Sequence, residues 1–256
     1  MKNLSKTEIA VMTGKTIFQN RIKSADRAAM AASELLIKKS TNVKLGKRVT
    51  KGKWKGFPIF TLTLEERATC PRSCAHWADC YGNNMMYAYR YQAGPELEAM
   101  LEIELAELQR KHPNGFLVRL HILGDFYSVG YVAKWAKWLG MFPALHVYGY
   151  TANQPDASDA TERAIGQALL SLSDNCGTRW AVRFSGNFNR ATMTANSADD
   201  SRAMAAVTAK QAFICPTQIS KATGKYAAKG EETLVPDCGA CGLCWTASKP
   251  VVFITH

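Results

Sequence analysis

Apolar and polar positions along the chain fall into two alternating rhythms. Ser24–Lys39 is alanine-rich, opens on a capping serine and predicts a helix. Gly56–Leu64 concentrates aromatic and β-branched residues and predicts a strand. Asn83–Tyr91 reads as helical. Pro95 opens a helix over Glu96–Lys111, with Leu97, Met100, Leu101, Leu105 and Leu108 on one face. From there strands and helices alternate. Strands are expected at Phe116–Leu123, Leu145–Tyr150, Arg179–Phe184, Ala212–Cys215 and Val251–Thr255. Helices are expected at Ser128–Leu139, Ala157–Leu172 and Ala198–Thr208. Such alternation implies parallel βαβ units, hence an α/β fold that is either a doubly wound sheet or a full or partial barrel. Residues 1–55 are expected to form a basic N-terminal helix and loop, and residues 56–256 the (β/α) domain. Composition marks the first ~20 residues and Lys221–Glu232 as disordered.

With 256 residues, 47% of them apolar, the chain can bury a core without disulfides. The N-terminus lacks an apolar run followed by a cleavage site. No stretch of about 18 apolar residues occurs, so no membrane span is expected. The expected location is the cytoplasm, where thiols stay reduced and favour metal ligation. The net charge of +11 and a pI of about 9.3 suggest a polyanionic partner, most simply nucleic acid, DNA or RNA. Lys44–Lys55 carries six positive charges and no acid, and Trp54 within it offers a ring to a base. Arg48, Lys51, Lys53 and Lys55 are the candidate phosphate contacts. The alternative is a plain solvated loop.

Cysteine spacing changes this picture most. Of eight cysteines, all but Cys176 lie in two short arrays or beside them. Cys70, Cys74 and Cys80 are spaced C-x3-C-x5-C. Cys238, Cys241 and Cys244 are spaced C-x2-C-x2-C, and Cys215 is the candidate fourth ligand of that group. Thiolates so close read as ligands of a soft metal or an iron–sulfur cluster. Four thiolates close a cluster or a zinc site; three on a 4Fe–4S cluster leave one iron open. Iron–sulfur is the favoured reading, as one or two clusters, and zinc the alternative. His76 and Asp79 lie inside the first loop as a fourth ligand, a neighbouring polar group or merely exposed residues. Cys176 reads as a buried free thiol.

In parallel α/β folds function collects at the carboxyl ends of strands. The segments there are Gly124-Asp125, Thr151-Ala-Asn153, Ser185-Gly-Asn187 and Cys215-Pro-Thr217. Gly124, Asp125, Thr151, Ser185 and Asn187 are therefore the candidate cofactor-binding residues. Arg119 and His121 alternate on one predicted strand, as a ligand-holding pair or as core groups; Arg183 is similar. Trp135, Trp138 and Met85–Tyr91 read as packing.

A cysteine triad after the first strand and a Gly-acid turn after the second resemble the radical SAM enzymes. That resemblance implies a partial barrel of radical SAM type. It implies a 4Fe–4S cluster on Cys70, Cys74 and Cys80, with S-adenosylmethionine on the open iron and its amine at Gly124-Asp125. The last cysteine gap, five residues, departs from that family's usual two. The set Arg-Leu-His-Ile-Leu-Gly-Asp-Phe-Tyr-Ser, Tyr-Gly-Tyr-Thr, Arg-Phe-Ser-Gly-Asn and the late Cys-x2-Cys-x2-Cys is similar to phage- and plasmid-encoded proteins with a gene product 88 domain, over about Phe57 to Trp245. The implied function is a radical-SAM-like enzyme acting on nucleic acid or a nucleic-acid-bound target. The rival is a non-catalytic nucleic-acid-binding protein whose cluster or zinc is structural.

Overall fold

The computed structural model describes residues 4–25, 35–36, 45–186, 194–218 and 237–254. Its centre is a seven-stranded sheet in which every pairing is parallel. The strands are β2 (Ile59–Thr61), β4 (Phe116–Leu120), β5 (Leu145–Thr151), β6 (Trp180–Ser185), β7 (Thr194–Ser197), β8 (Phe213–Ile214) and β9 (Val251–Phe253). Their order across the sheet is β2-β4-β5-β6-β7-β9-β8. Among the described residues the edges β2 and β8 do not pair with each other, so the sheet is open there and no barrel closes. Two short strands, β1 (Ile22–Lys23) and β3 (Arg90–Tyr91), form a second parallel pair. A Leu64–Tyr91 bridge ties that pair to the chain just beyond β2.

The pleat sorts side chains to two faces. On β4, Phe116, Val118 and Leu120 enter the main core, where α2 (Pro95–Lys111), α3 (Val129–Met141) and α4 (Ala160–Asn175) lay their apolar stripes. Trp135 and Trp138 sit fully buried there, as packing residues. Leu117 faces the other way, into a smaller core with Val49, Trp54, Ile59 and Tyr148. The helices start where the sequence signals them. Ser128 and Asp159 cap α3 and α4, each accepting a backbone N–H of the first turn, and Pro95 begins α2. A fourth helix in this layer, α5 (Ser201–Thr208), packs on β9 through Ala203 and Val252.

Several expectations need correction. Asn83–Tyr91 is not a helix: a 3-10 turn at Tyr81–Asn84 leads into β3. The first ~20 residues contain α1 (Lys6–Thr13), closed by a capping box in which Ser5 and Glu8 exchange hydrogen bonds. Thr194–Ser197, unread in the sequence, is β7. Trp54 is not free to stack on a base. It is buried, stacked on Trp245 at 5.8 Å and edge-on to His146 at 4.7 Å. The predicted helix Ser24–Lys39 falls mostly outside the described residues, as do Lys221–Glu232 and Asn187. Among the described residues no helix is long and apolar enough to cross a membrane.

Candidate metal centres

The loop holding the first array begins with a buried polar run, Glu65, Glu66, Arg67 and Thr69. Glu66 and Arg90 form an ion pair at 2.7 Å, with side chains at most 1% exposed. The remaining donors of Arg90 reach the carbonyls of Gly82, Met85 and Ala88, and Glu66 also accepts from the Thr16 hydroxyl at 2.6 Å. Arg67, at φ 64°, donates to the Trp77 carbonyl and to Asn83 Oδ1, both at 3.0 Å. Two buried guanidinium groups thus hold the chain on both sides of the cysteines. A charged pair in this setting persists only with its remaining donors satisfied, and the loop carbonyls satisfy them.

Cys70, Cys74 and Cys80 act on one another's ionisation. Burial, Asp125 and the other two thiols push Cys70 well above the ordinary thiol value. Burial takes Cys74 up to about 11, with Asp125 and Cys80 adding to it. Burial also raises Cys80, while Arg67 and Arg90 oppose the rise. Each sulfur has a backbone N–H directed to it, from Arg67, His76 and Gly82 respectively. The Arg67 Nη1 is buried without a hydrogen-bond partner.

Asp125 binds this loop to the strand ends. Its N–H donates to the Thr69 hydroxyl. Oδ1 accepts from Phe126 N–H and the Thr151 hydroxyl, both at 2.7 Å, and Oδ2 from Ala152 N–H at 2.6 Å. Burial raises its carboxyl to about 6 against the pull of these bonds. Gly124, at φ 81°, permits the approach: a Cβ there would stand 2.6 Å from Leu64 Cβ and Thr69 Oγ1. Beside the loop lies a cavity of about 370 Å³, lined in part by Ser24, Glu65, Thr69, Gln92 and Glu96. Burial raises the Glu65 carboxyl.

The second array lies against the sheet face opposite the helices. Asp237 caps the short helix α6 (Cys238–Cys241), accepting from Ala240 N–H at 2.7 Å; Gly242, left-handed at φ 67°, turns the chain into α7 (Leu243–Thr246). Gly239 packs on the basic segment: its carbonyl accepts from Thr50 N–H, and a Cβ would fall 2.2 Å from the Arg48 carbonyl oxygen. Cys215 arrives from the end of β8, its N–H bonded to Val252 O. Burial raises Cys238, Cys241 and Cys244, and in each case other members of the set Cys215, Cys238, Cys241 and Cys244 add to the rise. The Tyr150 hydroxyl donates to Cys244 Sγ at 2.8 Å. The Tyr148 hydroxyl is buried against Cys238, which lies within its hydrogen-bonding reach. Arg183 fastens α7 through the carbonyls of Cys244, Ala247 and Lys249.

The first array lies in the loop after β2, tied to Asp125 through Thr69, and the second lies beneath Tyr148 and Tyr150 on the sheet face opposite the helices, so the two arrays stand at separate places. Among the described residues no three His, Cys, Asp or Glu side chains stand in ligating geometry.

Other candidates divide. Thr151 holds Asp125, and Ser185 ends β6 with its carbonyl taken by Gln154. His76 and Asp79 pair with each other at 3.4 Å on the exposed surface. Arg119 lies over Tyr148 and Tyr150, next to the second array. His121 diverges from it because β4 ends at Leu120; its Nε2 meets the Tyr131 hydroxyl in the helix-side core. Cys176 is only half-buried, at the edge of that core. Sequence reasoning missed Glu66, Arg67, Arg90, Tyr148 and Tyr150. The usable signal was a run of three charged residues, Glu65-Glu66-Arg67, directly before a cysteine loop.

No curated protein and no solved structure matches the chain. The model of the family described as gene product 88 matches residues 35–247, a span that takes in both cysteine arrays and every strand of the main sheet except β9, and the chain belongs to that family.

Proposed function

We propose that the chain is an iron–sulfur protein with two centres, one closed and one open, and that the open centre serves S-adenosylmethionine-dependent chemistry on nucleic acid. The observation that supports this reading is the unequal grouping of thiols near enough to influence one another's ionisation: Cys215, Cys238, Cys241 and Cys244 in one group, Cys70, Cys74 and Cys80 in the other. The donor sets fit such groups. The buried Arg67 Nη1 stands beside the first array without a hydrogen-bond partner, and the Tyr148 and Tyr150 hydroxyls meet Cys238 and Cys244 in the second, where they suit anionic sulfur. A three-cysteine cluster supplies an electron and a free coordination position for the amino-acid end of the cofactor.

The chain's own residues do the rest. Arg67 and Arg90 fix the loop and offset thiolate charge, and backbone N–H groups point at the sulfurs. Glu65 and Glu96 give the adjoining cavity an acidic lining suited to a cationic ligand. Lys47, Arg48, Lys51, Lys53 and Lys55 are exposed on a segment pinned by buried Val49 and Trp54, a form suited to phosphates.

A second reading, a non-catalytic nucleic-acid-binding protein with structural clusters or zinc, has one observation in its favour. Both carboxylate oxygens of Asp125 are engaged by protein donors, which leaves little for an incoming amine. Anaerobic reconstitution with iron, zinc and sulfide assays separates the readings. Expected are iron and sulfide in both centres, loss of one centre in Cys241→Ser, and an electron paramagnetic resonance signal of the reduced protein that changes on adding S-adenosylmethionine and vanishes with the first centre in Cys74→Ser. A signal indifferent to that cofactor favours the second reading; zinc without sulfide removes iron–sulfur chemistry altogether.

A further inference from the structure

Between Cys80 and Arg90 the chain exposes four large apolar side chains. Tyr81 is 47% exposed, Met86 51%, Tyr87 78% and Tyr89 43%. Met85–Tyr91 is expected to pack; Arg90 and Tyr91 are buried, whereas Met86, Tyr87 and Tyr89 are exposed. It is also held in place. Arg90 grips the carbonyls of Gly82, Met85 and Ala88, so the rings project from a fixed backbone.

Cations stand at these rings. Lys23 Nζ is 3.8 Å from the centre of the Tyr89 ring and Arg21 is 5.6 Å from it. Both come from the segment that pairs with β3. Asp79, the nearest acid in sequence, is paired with His76. The surface begins at the residue after Cys80 and lies beyond the carboxyl end of β2. The basic segment 47–55 lies at the other end: Arg48 bridges Pro58 before β2, and Lys53 and Arg179 act on His146 at the start of β5.

We propose that Tyr81, Met86, Tyr87 and Tyr89, with Arg21 and Lys23, form a stacking platform for unpaired bases of a single-stranded nucleic acid beside the first cysteine array. The inference rests on the nucleic-acid reading above and adds the form of the ligand and its place. Bases in a duplex hide their faces, whereas an unpaired strand offers them to aromatic rings and its phosphates to adjoining cations. The net charge of +11 opposes an acid-poor partner and favours a polyanion.

The test uses the reconstituted full chain and fluorescence anisotropy with a labelled oligothymidylate and a duplex of equal length. Tyr87→Ala and Tyr89→Ala are expected each to lower single-strand affinity about tenfold, and to leave duplex affinity unchanged. Tyr87→Phe keeps the ring and is expected to bind as wild type. Replacing Lys51, Lys53 and Lys55 by Ala lowers affinity for both ligands and flattens the salt dependence. Tyrosine variants that bind single strands as wild type, while the lysine variant does not, overturn the platform and leave the nucleic-acid reading standing. Wild-type protein that binds neither ligand at low salt overturns both. If the tyrosine variants lose only a concentration-dependent self-association, the surface is a protein interface and the proposal fails.

Discussion

Tyr148 buries its hydroxyl against Cys238. A neutral thiol is a weak acceptor and a thiolate a charge-assisted one, so the metal-free protein gains little from that oxygen. Tyr148→Phe is expected to leave the metal-free protein equally or more stable, and to destabilise the loaded protein relative to wild type. Parallel thermal melts with and without metal check the reversal of sign. His121 gives a second test. Burial holds its imidazole neutral and lowers its pKa to about 3. The unfolded chain takes up a proton below the ordinary histidine value near 6.5, and the folded chain does not. Its contribution is therefore fully present above that pH and is lost as pH falls toward 3, by at most about 1.4 kcal/mol per pH unit. Asp125, raised to about 6, works in the opposite sense over part of the range. The informative quantity is thus the difference between wild type and His121→Gln in denaturant melts from pH 7.5 to 5, where the variant loses less stability. Cysteine spacing made the thiols readable as ligands. The tyrosines facing them were unreadable, since a strand tyrosine looks alike whether it packs or donates to sulfur.

At the level of elements, the loop from Glu65 to Tyr91 depends on one ion pair. Removing one member of a buried pair costs about 3–5 kcal/mol, because the other is left charged and unpaired. Arg90→Met is expected to destabilise the protein by about that amount and to release metal from the first array while the second keeps its own. Metal content of Cys241→Ser and Arg90→Met, measured side by side, checks the division. Legibility followed local self-sufficiency. The helices α2, α3 and α4 carry apolar stripes, caps and an opening proline, so their sequence defined them closely. β7 is short and polar, and its place rests on pairing with β6 and β9 rather than on a pattern of its own. Asn83–Tyr91 has helix-compatible composition, yet its carbonyls are claimed by Arg90, a tertiary contact that outweighs propensity. Ser5 and Glu8 show the converse: a local capping box was visible, but a basic, polar start was read as disorder.

Over the whole molecule, helices cover one face of the sheet, while the basic segment and the second array cover the other. The alternation of strands and helices predicted parallel units correctly. It could not decide closure, which depends on how the outer strands finish. Here the sheet ends with an inversion: β9 lies between β7 and β8. Among the described residues β8, which delivers Cys215, is paired only with β9. During synthesis, then, the strand carrying Cys215 has no neighbour to dock on until the chain has been made through Phe253. The first array is tied to Asp125, to the strand ends around Thr151 and, through Ser73, to Glu162 of α4, all of which precede β8 in the chain. On the proposed reading, the residues that hold the three-thiol site are all made before those of the four-thiol site, whose Cys215 waits on β9.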